Sequence, residues 1–188
     1  MKKIVTVVVV IIGVYLIWNA IQTKPDANVP NAEVSNEVSV NNEAVMNKGE
    51  ESLNTTVSFK GFGPGKEHTG SFSGVGSKIA VVDGSLSGAV SIDMTTLSSD
   101  NEKVTEHLKS ADFFDVAKFP AAFFSINEAK DGMISGSMVV RGITKTITFP
   151  YTESDSAYTA TFNLNMKEFG IDQTFANEVV ELSIVVNK

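Results

Sequence analysis

From Leu53 onward, apolar and polar residues alternate with a period of two. Leu53, Thr55, Val57 and Phe59 form the first such file, and Leu86, Val90, Ile92 and Met94 form another. Ile134, Met138 and Val140 follow, then Ile147, Phe149 and Tyr151. Tyr158, Ala160, Phe162, Leu164 and Met166 make the longest file, and Val180, Leu182, Ile184 and Val186 the last. Alternate side chains of a strand leave opposite faces, so each file reads as the buried face of a strand. The intervening Ser, Thr and Asn residues form the wet face. A helix would demand a period of 3.6 instead. The pattern therefore predicts an all-β domain of antiparallel strands.

Turn chemistry agrees. Asp83-Gly84 and Asp131-Gly132 each separate two apolar runs and suit type I′ hairpin turns, which need positive φ. Gly61, Gly63 and Gly65 around Pro64 mark a further turn. About eight strands are expected over residues 52–188, and closure into a barrel is the natural way to remove raw edges. One segment departs from the pattern. Ser99-Asp100-Asn101-Glu102 has the form of a capping box, and Val104 and Leu108 then fall four apart. One short helix is predicted over about residues 100–109, ahead of Phe113-Phe114 and Pro120, where it could cover a barrel end.

Residues 1–51 read differently. Lys2 and Lys3 precede an apolar run from Ile4 to Ile21, whose eighteen residues would reach about 27 Å as a helix. Cleavage after Ala20 would place Trp18 where a small side chain is wanted. Residues 1–22 are therefore predicted as a retained transmembrane signal anchor. The lysines favour an inside N-terminus, leaving the domain periplasmic or cell-surface. Residues 23–51 contain Pro25, Pro30 and six asparagines, without aromatics or a sustained period. Such a stretch buries too little to offset its ordering entropy, and it is predicted as a disordered linker.

Composition excludes several functions. The formal net charge is −7 and no basic patch stands out, which argues against nucleic acid as a partner. There is no cysteine and there are only two histidines, so neither a thiolate nor a histidine-rich metal site is expected. No nucleophile elbow, Walker loop or paired-histidine motif is present. No catalytic residue, metal ligand or cofactor is nominated, and the chain reads as a non-enzyme.

The stretch HLKSADFFDVAKFPAAFF, His107 to Phe124, resembles the YceI-like family of bacterial lipid-binding proteins. GAVSIDMTTL (Gly88–Leu97), GSMVVRGITKTITFP (Gly136–Pro150) and FGI (Phe169–Ile171) extend the resemblance, in matching order and spacing, over nearly all of the folded part. It implies an extended, lipocalin-like antiparallel barrel with an apolar channel, an exported protein, and a long isoprenoid chain or other lipid as ligand. Two departures stand out. Family members often carry a basic residue where Met166 sits, and here Lys167 is the nearest candidate. The domain also looks trimmed at its start.

Pattern alone favours a packed interior, because eight-stranded barrels fill themselves with side chains. The resemblance favours a channel instead. The residues expected to line it are Phe59, Val90, Ile92, Phe113, Phe114, Phe124, Met138, Val140, Phe149, Phe162, Leu164 and Met166. The partners expected are an apolar lipid and, through the N-terminal helix, a membrane; a homodimer is compatible with the sequence. The alternative is a structural or protein-interaction barrel with a filled interior. His68 and His107 could touch a polar head group, although local hydrogen bonding is the commoner fate of such histidines. Asp93 could pair with Arg141 or Lys145.

Overall fold

The alternating files become two packed antiparallel sheets. The structure, a computed structural model, describes residues 22–36, 53–82, 84–173 and 177–188. Its strands are β1 (Glu33–Ser35), β2 (Thr55–Gly63), β3 (Lys66–Phe72), β4 (Val75–Val82), β5 (Ser85–Asp93) and β6 (Leu97–Ser99). They continue with β7 (Ala121–Lys130), β8 (Met133–Val140), β9 (Ile143–Pro150), β10 (Thr152–Glu153), β11 (Ala157–Asn165) and β12 (Val179–Asn187). The first sheet has the order β1-β9-β8-β7-β5-β4 and the second β10-β11-β12-β2-β3-β6. The chain crosses from the first to the second through a 3₁₀ turn at Met94–Thr96.

The expected closed barrel is not what forms. Two six-stranded sheets face each other, and no ladder joins them among the described residues. They approach along β9 and β11 on one side and along β2 and β4 on the other. At the first seam both free edges are taken in part. β1 pairs with β9, matching Val34 to Ile147, and β10 pairs with β11, matching Glu153 to Tyr158. With the bridge of Asn31 to Asn163, these short pairings interrupt the edges that β9 and β11 would offer each other. At the second seam, side chains bridge instead of a ladder. Thr55 Oγ1 donates to Ser77 Oγ at 2.8 Å, and Ser77 Oγ donates to the Leu53 carbonyl at 2.6 Å.

The N-terminal expectations are also revised. The run Ile4–Ile21 lies outside the described residues. Among those described, no helix is long and apolar enough to cross a membrane. The membrane anchor, and the membrane-tethered localisation derived from it, therefore have no support in the fold. Part of the stretch read as linker is built into the sheets. Thr23 exchanges hydrogen bonds with Gly63, Ala32 N donates to the Asn163 carbonyl, and Glu33–Ser35 adds to β9. Sequence pattern misses this because β1 is three residues long, too short to show a period.

Asp83 of the expected Asp83-Gly84 turn lies outside the described residues, and the other Asp-Gly turn behaves as its chemistry requires. Asp131 and Gly132 have φ of 53° and 75°, the paired positive values of a type I′ turn. Arg141 and Gly142, at 51° and 73°, form a second such turn that the sequence reading did not single out. The helix, α1 (Glu102–Lys109), starts later than predicted. Asn101, not Ser99, is its N-cap, accepting from the Lys103 and Val104 amides. Ser99 Oγ instead donates to the Asn101 carbonyl at 2.8 Å and holds the capping loop.

Candidate functional site

Between the sheets lies an apolar cavity of about 400 Å³. That is within the range of small-molecule sites, roughly 300–1,000 Å³. The second sheet supplies Phe59 and Leu164 to its wall, and Met166 follows from the 3₁₀ turn after β11; the first sheet supplies Val90, Ile92, Phe124, Met138, Val140 and Phe149. Phe113 and Phe114, from the loop after α1, complete one end. Eleven of the twelve residues expected to line a channel thus meet around one space. The exception is Phe162. It is fully buried, stacked on Phe149 with ring centroids 4.1 Å apart, and so stands behind the wall.

Why the interior is not filled can be read from two glycines. A Cβ on Gly70 would come 2.2 Å from the Phe59 ring, and one on Gly136 would come 2.4 Å from the Phe124 ring. Each phenylalanine therefore lies down across a neighbouring strand, where a side chain would otherwise stand. Laid flat, the two rings line the wall without occupying the middle. Sequence reasoning named both phenylalanines as lining residues but did not weigh the glycines beneath them.

The two ends of the cavity differ in chemistry. Strand register places Val180, Gly61 and Leu164 toward one end of the second sheet and Val186 and Tyr158 toward the other. At the first end, α1 contributes Val104 and Leu108, and the rim carries Lys66, His68, His107, Gln173 and Asn177. His68 Nδ1 lies 2.8 Å from Asp100 Oδ1, which joins β3 to the loop preceding α1. His107 is exposed and meets Phe113 edge-on, at 5.9 Å between centroids. The histidines thus sit at a mouth, each with a local partner. Lys167, the nearest basic candidate, faces solvent and pairs with Glu178 at 2.9 Å and Asp172 at 3.4 Å. Those carboxylates hold its ammonium above the usual lysine range, Glu178 foremost.

At the opposite end stand Tyr151 and Tyr158, with centroids 6.3 Å apart. Tyr158 is 8% exposed. Burial pushes its hydroxyl pKa up, and the Glu153 carboxylate beside it adds to the effect. Glu153 in turn bonds Lys188 at 2.6 Å. Lys188 holds the Glu153 carboxyl below the usual glutamate range, and Glu153 holds the Lys188 ammonium above its own. The sequence reading named neither tyrosine as a site residue, although Tyr158 opens the longest alternating file.

Asp93 does not pair with Arg141 or Lys145. Its Oδ1 accepts from the Thr95 amide at 2.9 Å and from the Thr95 hydroxyl at 2.6 Å, and these bonds lower its pKa. Arg141 instead donates to the Gly170 carbonyl, while Lys145 meets Asn36 and Glu168. Among the described residues, no group of three or more His, Cys, Asp or Glu is placed to hold a metal ion.

Known proteins place this architecture. The family model described as "YceI-like domain" matches residues 45–187. A UPF0312 protein of Vibrio cholerae is 27% identical over 150 residues, covering 72% of this chain and 79% of that protein. One from Enterobacter sp. (strain 638) is 28% identical over 112 residues, and there the match spans 58% of the relative's length. Among solved structures, BcnA of Burkholderia cenocepacia superposes with a TM-score of 0.62 at 15% identity, over 72% of this chain and 99% of BcnA. A polyisoprenoid binding domain from Saccharophagus degradans superposes with a TM-score of 0.57 at 9% identity, over 73% of this chain and 94% of that one. At such identities the two structures speak for the fold.

Proposed function

The chain belongs to the YceI-like family, and from that premise we propose that its cavity binds a long apolar lipid, an isoprenoid chain, and holds it for storage or transport. The observation that carries the proposal is the cavity itself, about 400 Å³ and walled by aromatic and aliphatic side chains from both sheets. The polyisoprenoid binding domain among the structural neighbours supports the choice of ligand class. Chemistry supports it too. Each methylene moved from water into such a space contributes about 0.8 kcal/mol before the costs of association. A chain of ten or so carbons thus binds without a specific polar partner. The titratable groups near the cavity stand at its rim, which suits holding a ligand better than transforming it. A filled interior, the alternative, does not suit a cavity of this size.

The test is Val140→Asp. Val140 is 8% exposed and faces the cavity. An unpaired carboxylate there is costly to bury, and a bound chain would have to bury it. The parent, purified from cells and examined by native mass spectrometry, should carry a lipid adduct. The variant, once shown to be folded by circular dichroism, should carry at least about tenfold less. A folded variant loaded as fully as the parent would place the ligand elsewhere.

A further inference from the structure

Resting on that reading, we infer that Tyr158 is the stop against which the far end of the lipid chain abuts, and so the residue that sets the longest chain the protein accepts. The polar rim of the cavity is gathered at the α1 end, around Lys66, His68 and Gln173. A lipid with any polar terminus leaves that terminus there and sends its tail toward the tyrosines. The tail then meets the Tyr158 ring, which faces the cavity and is backed on its outer side.

The backing is specific. β10 is only two residues long, and it places Glu153 directly opposite Tyr158. Lys188 Nζ lies 4.4 Å from the centre of the Tyr158 ring and 2.6 Å from Glu153 Oε1. The Lys188 amide also donates to the Ser156 carbonyl at 2.9 Å, and the Ser154 amide to the Ala157 carbonyl at 2.8 Å, which closes the turn before β11. The ring is thus held from outside by a charged pair and a tight turn, and Tyr151 flanks it at 6.3 Å between centroids. An aliphatic side chain at position 158 would have no such hold, because it offers neither a π-face to the ammonium nor a hydroxyl to the carboxylate. A tail pressing on the parent ring would have to break the charged pair to go further. With a smaller side chain at 158 the tail passes.

The experiment uses the full chain, delipidated, with a homologous series of all-trans isoprenols: geraniol, farnesol, geranylgeraniol and solanesol. Affinity in the parent should rise along the series and then cease to rise at one member. In Tyr158→Leu, verified by its thermal melt, the rise should continue to the next member, which binds at least about tenfold tighter than it does to the parent. In Tyr158→Trp, which lengthens the stop, the rise should end one member earlier. The pair of variants keeps the test open if one of them folds poorly. The same cutoff in every folded variant would overturn the stop while leaving lipid binding intact. Failure of the parent to take up any member would overturn both.

Discussion

Phe149 and Phe162 show what a single ring contributes on either side of the cavity wall. Phe149 faces the space; Phe162 lies behind it, stacked at 4.1 Å and fully buried. Removing Phe162 leaves a void that its close-packed neighbours cannot fill, so Phe162→Ala should cost about 3–5 kcal/mol in urea denaturation. Phe124 already borders empty space, and its missing neighbours mean fewer contacts to lose. Phe124→Ala should therefore cost clearly less, and an equal cost would mean that the space beside it is packed. Period-two spacing put Phe149 and Phe162 on the inner face, and that much was legible. Which ring meets a cavity and which meets another ring depends on what stands opposite in the other sheet. No local pattern carries that. The same holds for Gly70 and Gly136, whose role appears only when Phe59 and Phe124 are seen lying across them.

At the scale of elements, the least legible segment proves structural. Residues 29–35 straddle the seam between the sheets. The Asn163 amide donates to the Pro30 carbonyl and the Ala32 amide to the Asn163 carbonyl, both at 2.8 Å, before β1 adds to β9. These few bonds tie β11 to β9 through a third strand. Ala32→Pro removes the donor to Asn163. Amide exchange at Ile147 and its neighbours on β9 should then accelerate, while β12, remote from the strap, keeps its protection. Unchanged exchange on β9 would show that the strap does not hold the seam. The Asn and Pro content of this segment truly lowers its own propensity for order. Its place is supplied by the edge it meets, which lies more than a hundred residues away in the chain. α1 makes the complementary point: its existence and apolar face were readable from Val104 and Leu108, whereas its cap shifted to Asn101 because Ser99 was drawn into β6.

For the whole molecule, a lipid held as proposed would join the two walls. It would touch side chains from both sheets, so occupancy should stabilise the fold as a unit. At a hundredfold excess of free lipid over its Kd, the linkage amounts to about 2.7 kcal/mol. For a domain of this size that is a rise in Tm of roughly 5–10 °C. Differential scanning calorimetry of delipidated and reloaded protein checks it, and identical melts would deny the cavity its occupant. The unclosed seams carry one more consequence. A closed barrel has its bore dictated by strand number and stagger. Here the backbone imposes such a gauge at one seam only, where residues 29–35 tie β11 to β9. Between β2 and β4 no ladder forms, and side chains such as Thr55 and Ser77 bridge the walls. The girth of cargo that such a cavity would admit is therefore adjustable by point substitution along that one line of residues, without altering a single strand pairing.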